Sequence, residues 1–416
     1  MSQASPIKTY LWQLAKAAVA ALGIVCVSRY LGASGRGEWG LYLFYMQLCL
    51  MLVEFVAGSA VANWVARYGS AAILPYVLIA PVAGSMVLAI AWPYLGWPWE
   101  LSWFSLQFLA LAFLNIQYNL YQAEGWVERR NSLQWLLEFA KFLGFAGLLY
   151  WLSTESPSHE VCCGDQKLDG VIRVVSVTAL GILILSLYRT RGLIRSSFPA
   201  QSWPKGLLKE GFWAQVGHLL LYLVYRLPIW TLNQRGESAE AGVFSNALLV
   251  ADAFWLFANS FGSVLHSRVL RSQNKAFHAR LVRRYTLISL LATTAACLVL
   301  VFVPAEWFTT VFGDDFELLK SRCVELIPAI ICLAGSASLG HYLHAQGAFK
   351  ALALSYGSSL LILLVSLEFL PYMLALDAAF AVLLIINLMQ VRRRLDWSAH
   401  KRNVLPLLRR WWRLRF

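Results

Sequence analysis

The sequence predicts an all-α polytopic membrane protein, with about twelve transmembrane helices in two pseudo-symmetric six-helix lobes around a central cavity and both termini cytoplasmic. Three observations predict it. Of the 416 residues, 59% are hydrophobic and only 14% are charged, with apolar runs from one end to the other. The Lys and Arg residues gather in alternate connections. Short patterns recur in the same order in the two halves.

A span needs about 20 mostly apolar residues, and backbone groups in lipid must be satisfied within the segment, so such runs read as helices. The first, 8–31, contains Gln13 and Lys16. A charged ammonium deep in hydrocarbon costs about 3 kcal/mol on insertion scales, so Lys16 is expected to face protein or water. The segment ends in Ser28-Arg29-Tyr30 rather than a small-residue cleavage site, so it is read as a span and not a signal peptide. A glycine-rich turn, Gly32 to Gly40, leads into segment 40–66, which carries Glu54. Segment 71–94 is plainly apolar. Segment 101–123 bears an uncharged stripe, Asn115, Asn119 and Gln122, suited to sugar hydroxyls or to hydrogen bonding between helices. In 132–153, Glu138 and Lys141 stand three residues apart, the spacing of a local ion pair. Segment 171–188 completes the first half.

Segment 208–232 holds Gln215, His218, Tyr222, Tyr225 and Arg226 within about 100° of helix circumference, a single polar stripe. Pro228 is placed to bend it. Segment 242–265 carries Asp252, and 285–304 is apolar. Segment 319–346 carries Glu325, Ser338, His341 and His344; 351–370 and 373–391 complete the set.

With the N-terminus inside, 25 of the 35 Lys and Arg residues fall in cytoplasmic connections and the tail, 7 in outward connections and 3 within segments. That bias fixes the orientation, and it accounts for the net charge of +13 without a nucleic-acid partner. The tail interleaves Trp411, Trp412 and leucines with arginines, the pattern of a basic helix lying on anionic lipid.

Sliding the chain by 202 places Gln215 under Gln13, His218 under Lys16, and Glu240 to Phe244 under Glu38 to Tyr42. A shift of 222 places His344-Ala345-Gln346-Gly347 under Gln122-Ala123-Glu124-Gly125. The expected organisation is an N-terminal lobe at 1–188, a cytoplasmic linker at 189–207, a C-terminal lobe at 208–391 and a basic amphipathic tail at 392–416. Because each half has an even number of spans, the repeat is parallel, about an axis along the membrane normal.

The predicted interior is cationic, with Lys16, Arg226 and His218 as its positive or protonatable groups. Lys16 and Arg226 each either meet a ligand or pair with an acid on another helix, for which Glu54, Asp252 and Glu325 are the candidates. Glu54 and Asp252, one helical turn apart under the 202 shift, could equally bind a coupling H+ or Na+. His341 and His344 have no carboxylate or thiolate nearby in sequence, so no metal is expected, and no cofactor motif is present. Gly313 to Glu317 reads as a solvated outward turn. Cys162 and Cys163, in an outward loop, could reach Cys323. No phosphate-cradling loop, metalloprotease helix or nucleophile elbow occurs, and no outward loop is long enough for a catalytic domain, so an enzyme is not expected.

Leu31 to Tyr42, followed by an apolar helix ending Gly58-Ser59-Ala60-Val61, and the helix ends at 123–125 and 345–347, resemble the polysaccharide-exporting Wzx-type (O-antigen and capsule) flippases. These belong to the MOP superfamily with the MATE exporters. The resemblance implies two lobes around a cavity that alternates between membrane faces of a bacterial inner membrane. It implies as cargo a polyprenyl-diphosphate-linked oligosaccharide, met by Lys16, Arg226, His218, Gln13, Gln215, Tyr222, Asn115 and Asn119, and as partners the polymerase and assembly proteins downstream. The alternatives are a MATE-like drug or metabolite antiporter, and a membrane glycan polymerase or ligase.

Overall fold

A computed structural model describes residues 6–57, 70–124, 126–154, 164–195, 207–270, 272 and 274–395. The described chain is helical: α1 (Pro6–Ala57), α2 (Ser70–Leu95), α3 (Leu101–Ala123), α4 (Val127–Thr154), α5 (Gly164–Arg195), α6 (Leu207–Gln234), α7 (Ser238–Leu270), α8 (Lys275–Phe302), α9 (Ala305–Phe312), a 3-10 turn (Asp314–Phe316), α10 (Leu319–Glu325), α11 (Ile327–Ala345), α12 (Phe349–Phe369) and α13 (Tyr372–Leu395). As far as the described residues reach, every predicted segment coincides with a helix, a helix half or a bent helix pair.

By length and composition, among the described residues six helices suffice to cross a membrane, or up to eight if each of two bent pairs is one span. The stricter count has a simple origin. Helices α3 and α6 carry the polar stripes named above, α4 carries Glu138 and Lys141, and α1 is one 52-residue helix holding two predicted segments. At about 1.5 Å per residue α1 is more than twice as long as the hydrocarbon is thick. It is broken at Gly32, whose φ of 70° and ψ of −177° are open essentially to glycine alone. Large apolar side chains along the helices, among them Met86, Ile90, Val299, Leu354 and Leu361, are exposed, as lipid-facing residues of a multi-pass membrane protein are.

Two expectations are corrected. The connection between α8 and α10 is not a bare turn: α9 buries Phe308 and Phe312, and the 3-10 turn buries Phe316, while Asp314, Asp315 and Glu317 are exposed as expected. Segment 319–346 is not one straight helix but α10 and α11, bent by 52° at Leu326. Pro328 in the first turn of α11 lacks an N–H and disfavours helical geometry in the residue before it, so the chain starts a new helix there.

The chain divides into two compact units. The first comprises Met1–Gln215, Arg226–Asn246 and Ala305–Leu319; the second comprises Val216–Tyr225, Ala247–Pro304 and Lys320–Phe416. In the first, α1 packs along α4, and α3 along α5. Its core holds Tyr42, Phe104, Phe108 and Ile116, with Trp39, Trp97 and Trp99 around them. The start of α7 crosses α1 where Gly37 faces the backbone of Ser238 and Gly242 faces the carbonyl of Ala33. A Cβ at either glycine would overlap backbone atoms, so only glycine permits this approach. In the second unit α13 packs against α11 and α12, and α8 against α11, over Leu265, Val282, Leu339 and Leu343. Asn274 caps α8, its Oδ1 accepting from the backbone N–H groups of Ala276 at 3.0 Å and Phe277 at 3.2 Å.

Two sequence expectations fall outside what is described. The membrane-surface helix of the tail lies beyond residue 395, and Cys162 and Cys163 are not among the described residues. Cys323 is a buried free thiol.

Candidate functional site

Lys16 is half-buried on α1, and its Nζ reaches Gln134 Oε1 of α4 at 3.4 Å. Its charged neighbours also come from α4: Glu138, Arg130 and Lys141. Lys141 Nζ donates to Glu138 Oε1 at 2.8 Å, the local pair its spacing predicts. Three cations therefore share this part of the first unit with one acid. Glu138 is the one acid among these charged neighbours of Lys16.

Glu54, in the second half of α1, is held by amides. Asn115 Nδ2 of α3 donates to Oε1 at 3.2 Å, and Gln215 Nε2 of α6 donates to Oε2 at 3.2 Å. Gln215 is buried and also approaches Met51 O at 3.4 Å. Two residues expected to meet sugar thus converge on the carboxylate. Among the described residues no cation is bonded to Glu54.

At the α1–α7 crossing lies a second polar group, which sequence reasoning missed. Arg36 Nε donates to Asn246 Oδ1 at 3.0 Å, and Asn246 Nδ2 donates to Ser28 Oγ at 2.9 Å. All three are buried. Trp230 Nε1 donates to Tyr45 Oη at 2.9 Å, and Asn233 Nδ2 to Gly37 O at 3.3 Å. Arg29 Nε donates to Val311 O at 2.8 Å and its Nη2 to Thr310 O, tying α1 to α9.

In the second unit, Tyr225 Oη donates to Asp252 Oδ1 at 2.7 Å. Glu325 Oε2 accepts from Arg322 Nη1 at 2.8 Å, and Oε1 from Ser321 Oγ at 3.0 Å, so Glu325 is engaged on its own helix. His344 Nδ1 lies 3.2 Å from His266 Nε2, and His341 Nε2 lies 3.4 Å from Asn259 Oδ1. His218, exposed on α6, is a further electrostatic neighbour of His344. Among the described residues no group of three or more His, Cys, Asp or Glu could hold a metal ion.

Of the other expected site residues, Asn119, Tyr222 and Arg226 are half-buried, and the side chain of Gln13 lies outside those described. Helix α6 continues through Pro228. Gln134 was legible, since it shares a helix face with Glu138 and Lys141 at four and seven residues. For Arg36 with Asn246, or His266 with His344, no local pattern exists, because the partners lie far apart in sequence.

No protein-family model matches the chain, and no curated protein matches it by sequence. Solved structures do. A multidrug resistance MATE family transporter of the MOP superfamily in an inward-facing conformation aligns over 93% of this chain and 96% of its own, with a TM-score of 0.71 and 12% identity. The MATE multidrug transporter DinF-BH aligns over 94% of each chain, with a TM-score of 0.66 and 12% identity. A MOP superfamily transporter from Pyrococcus furiosus, described as having a binding pocket of reverse polarity that suggests a different function, covers 95% and 97%, with a TM-score of 0.64 and 12% identity. The chain thus has the all-helical fold of the MATE transporters of the MOP superfamily.

Proposed function

We propose that the chain is a flippase that moves a polyprenyl-diphosphate-linked oligosaccharide from the cytoplasmic to the periplasmic leaflet by alternating access, for surface polysaccharide assembly. The observation that carries this reading is the charge around Lys16. Its ammonium reaches a neutral amide rather than a carboxylate, and Arg130 and Lys141 outnumber the single Glu138 beside it. A diphosphate suits such a group, because charge-assisted hydrogen bonds from ammonium or guanidinium to phosphate are short and strong. Glu54 and Asp252 are the acids available for H+ or Na+ coupling. The setting is a bacterial inner membrane, with the tail on anionic lipid and the glycan polymerase and assembly proteins downstream. No cofactor is required.

The test is surface glycan display in the host. Lys16→Ala abolishes display while the protein remains inserted, and Lys16→Arg retains it; normal display with Lys16→Ala refutes the reading.

A second reading, a MATE-like drug or metabolite antiporter, is favoured by the multidrug transporters among the structural neighbours. A cationic drug would call for an acidic surface where Lys16, Arg130 and Lys141 stand. Efflux of cationic dyes that survives Lys16→Ala, in cells with unaltered glycan, would select this reading instead.

A further inference from the structure

We propose that Arg36, with Asn246 and Ser28, forms an anion site in the first unit that takes a small inorganic anion or a phosphate group. The site lies where the second half of α1 begins, just after the break at Gly32. The proposal does not depend on Lys16 or its neighbours, although Arg226 beside Arg36 is also among the residues expected to meet the cargo.

The argument begins with an unbalanced charge. Arg36 is only 4% exposed, and Asn246 and Ser28 are each 0% exposed. A guanidinium carries five N–H donors and is not deprotonated in proteins. Here Nε donates to Asn246 Oδ1 at 3.0 Å, while Nη1 is buried with no hydrogen-bond partner. Asn246 in turn gives Nδ2 to Ser28 Oγ at 2.9 Å, which fixes its oxygen toward the arginine.

Among the described residues no carboxylate bonds to Arg36. The charged neighbour it does have is a second guanidinium, Arg226 of α6. Burial of an ion is costly even after the surroundings relax, and a like charge adds to that cost. The first turn of the helix that carries Arg36 contributes further positive potential. Among the described residues no acid compensates this charge, and Nη1 is the donor left for a bound group. Asn246 and Ser28 orient the guanidinium, and the bound group supplies the negative charge.

The test uses the full chain, purified in detergent in gluconate buffer at constant ionic strength, with unfolding followed by tryptophan fluorescence. Chloride, inorganic phosphate, inorganic diphosphate and farnesyl diphosphate are titrated in turn. At least one is expected to raise the melting temperature saturably by several degrees, and Arg36→Gln to weaken that response at least tenfold. Saturation by chloride or an inorganic phosphate assigns a free anion; saturation by farnesyl diphosphate alone assigns a lipid headgroup. Either supports the site. If no anion stabilises the wild-type protein, or if Arg36→Gln responds equally, the proposal fails. Should Arg36→Gln not accumulate, Arg36→Lys and equilibrium dialysis with radioactive chloride or phosphate replace it. One saturable anion per wild-type chain, weakened in Arg36→Lys, supports the site, and no saturable binding overturns it.

Discussion

Gln215 donates its side-chain amide to Glu54 Oε2 at 3.2 Å, across 161 residues of chain. With Asn115 on the other oxygen, the carboxylate is held by two neutral donors from different helices. Both carboxylate oxygens are thus fixed by hydrogen bonds from neutral amides rather than by an ion pair.

Removing that acid strands its donors. Glu54→Ala takes the Glu54 acceptor from the Asn115 amide and leaves the Gln215 amide only its 3.4 Å contact with Met51 O, which costs about 1–3 kcal/mol of stability. Adding Gln215→Ala on top should cost less than it does alone. A double-mutant cycle on thermal unfolding in detergent measures the coupling, and strict additivity would show that the contact contributes nothing.

The cations near Lys16 differ in their use. Lys141 is already bonded to Glu138 at 2.8 Å, whereas Lys16 reaches Gln134 at 3.4 Å. Glycan display is therefore expected to fall far less with Lys141→Ala than with Lys16→Ala at matched protein level. An equal loss would place both ammonium groups on the cargo.

At the α1–α7 crossing, Gly242→Leu drives a side chain into the Ala33 carbonyl, and Gly37→Val into that of Ser238. Backbone cannot rotate away as a flexible side chain can, so each should cost about 3 kcal/mol or more. Accumulation in membranes and melting temperature report it. Wild-type values for both would mean that the helices are not in contact.

Gly32 separates two kinds of glycine replacement. Its φ of 70° suits asparagine in the left-handed region, but its ψ of −177° lies outside that region. Any Cβ would also meet Asp315 Oδ2 at 2.7 Å. Gly32→Asn should therefore be no better than Gly32→Ala, each losing about 1–3 kcal/mol of stability. Recovery of the wild-type melting temperature by asparagine would indicate an ordinary left-handed turn.

The helices are legible in the sequence because a bilayer leaves an apolar run few alternatives to the helix. Helix α9 is not, because eight residues in a connection carry no span signal. Its buried register, Phe308 and Phe312, continued by Phe316 of the 3-10 turn, shows only once a surface exists to bury it. The break at Leu326 is readable from Pro328 two residues on. Asn115, Gln215 and Glu54 each stand out as polar residues in apolar segments, but their convergence depends on how three distant helix stretches pack, and periodicity within a segment cannot report that. Arg36 reads from sequence as one more charge in an outward loop, since nothing near it reveals burial against Asn246.

The broken helix α1 also bears on how the protein is made. Its break at Gly32 lies between Arg29 and Arg36. Their partners arrive late, Asn246 after a further 210 residues and the Thr310 and Val311 carbonyls after more than 280. At about 5–20 residues per second, the ribosome takes roughly 10–40 s to supply the first of them. During that interval the two guanidinium groups depend on water, lipid phosphate or the insertion machinery. A helix made well before these partners is thus among the last to be secured.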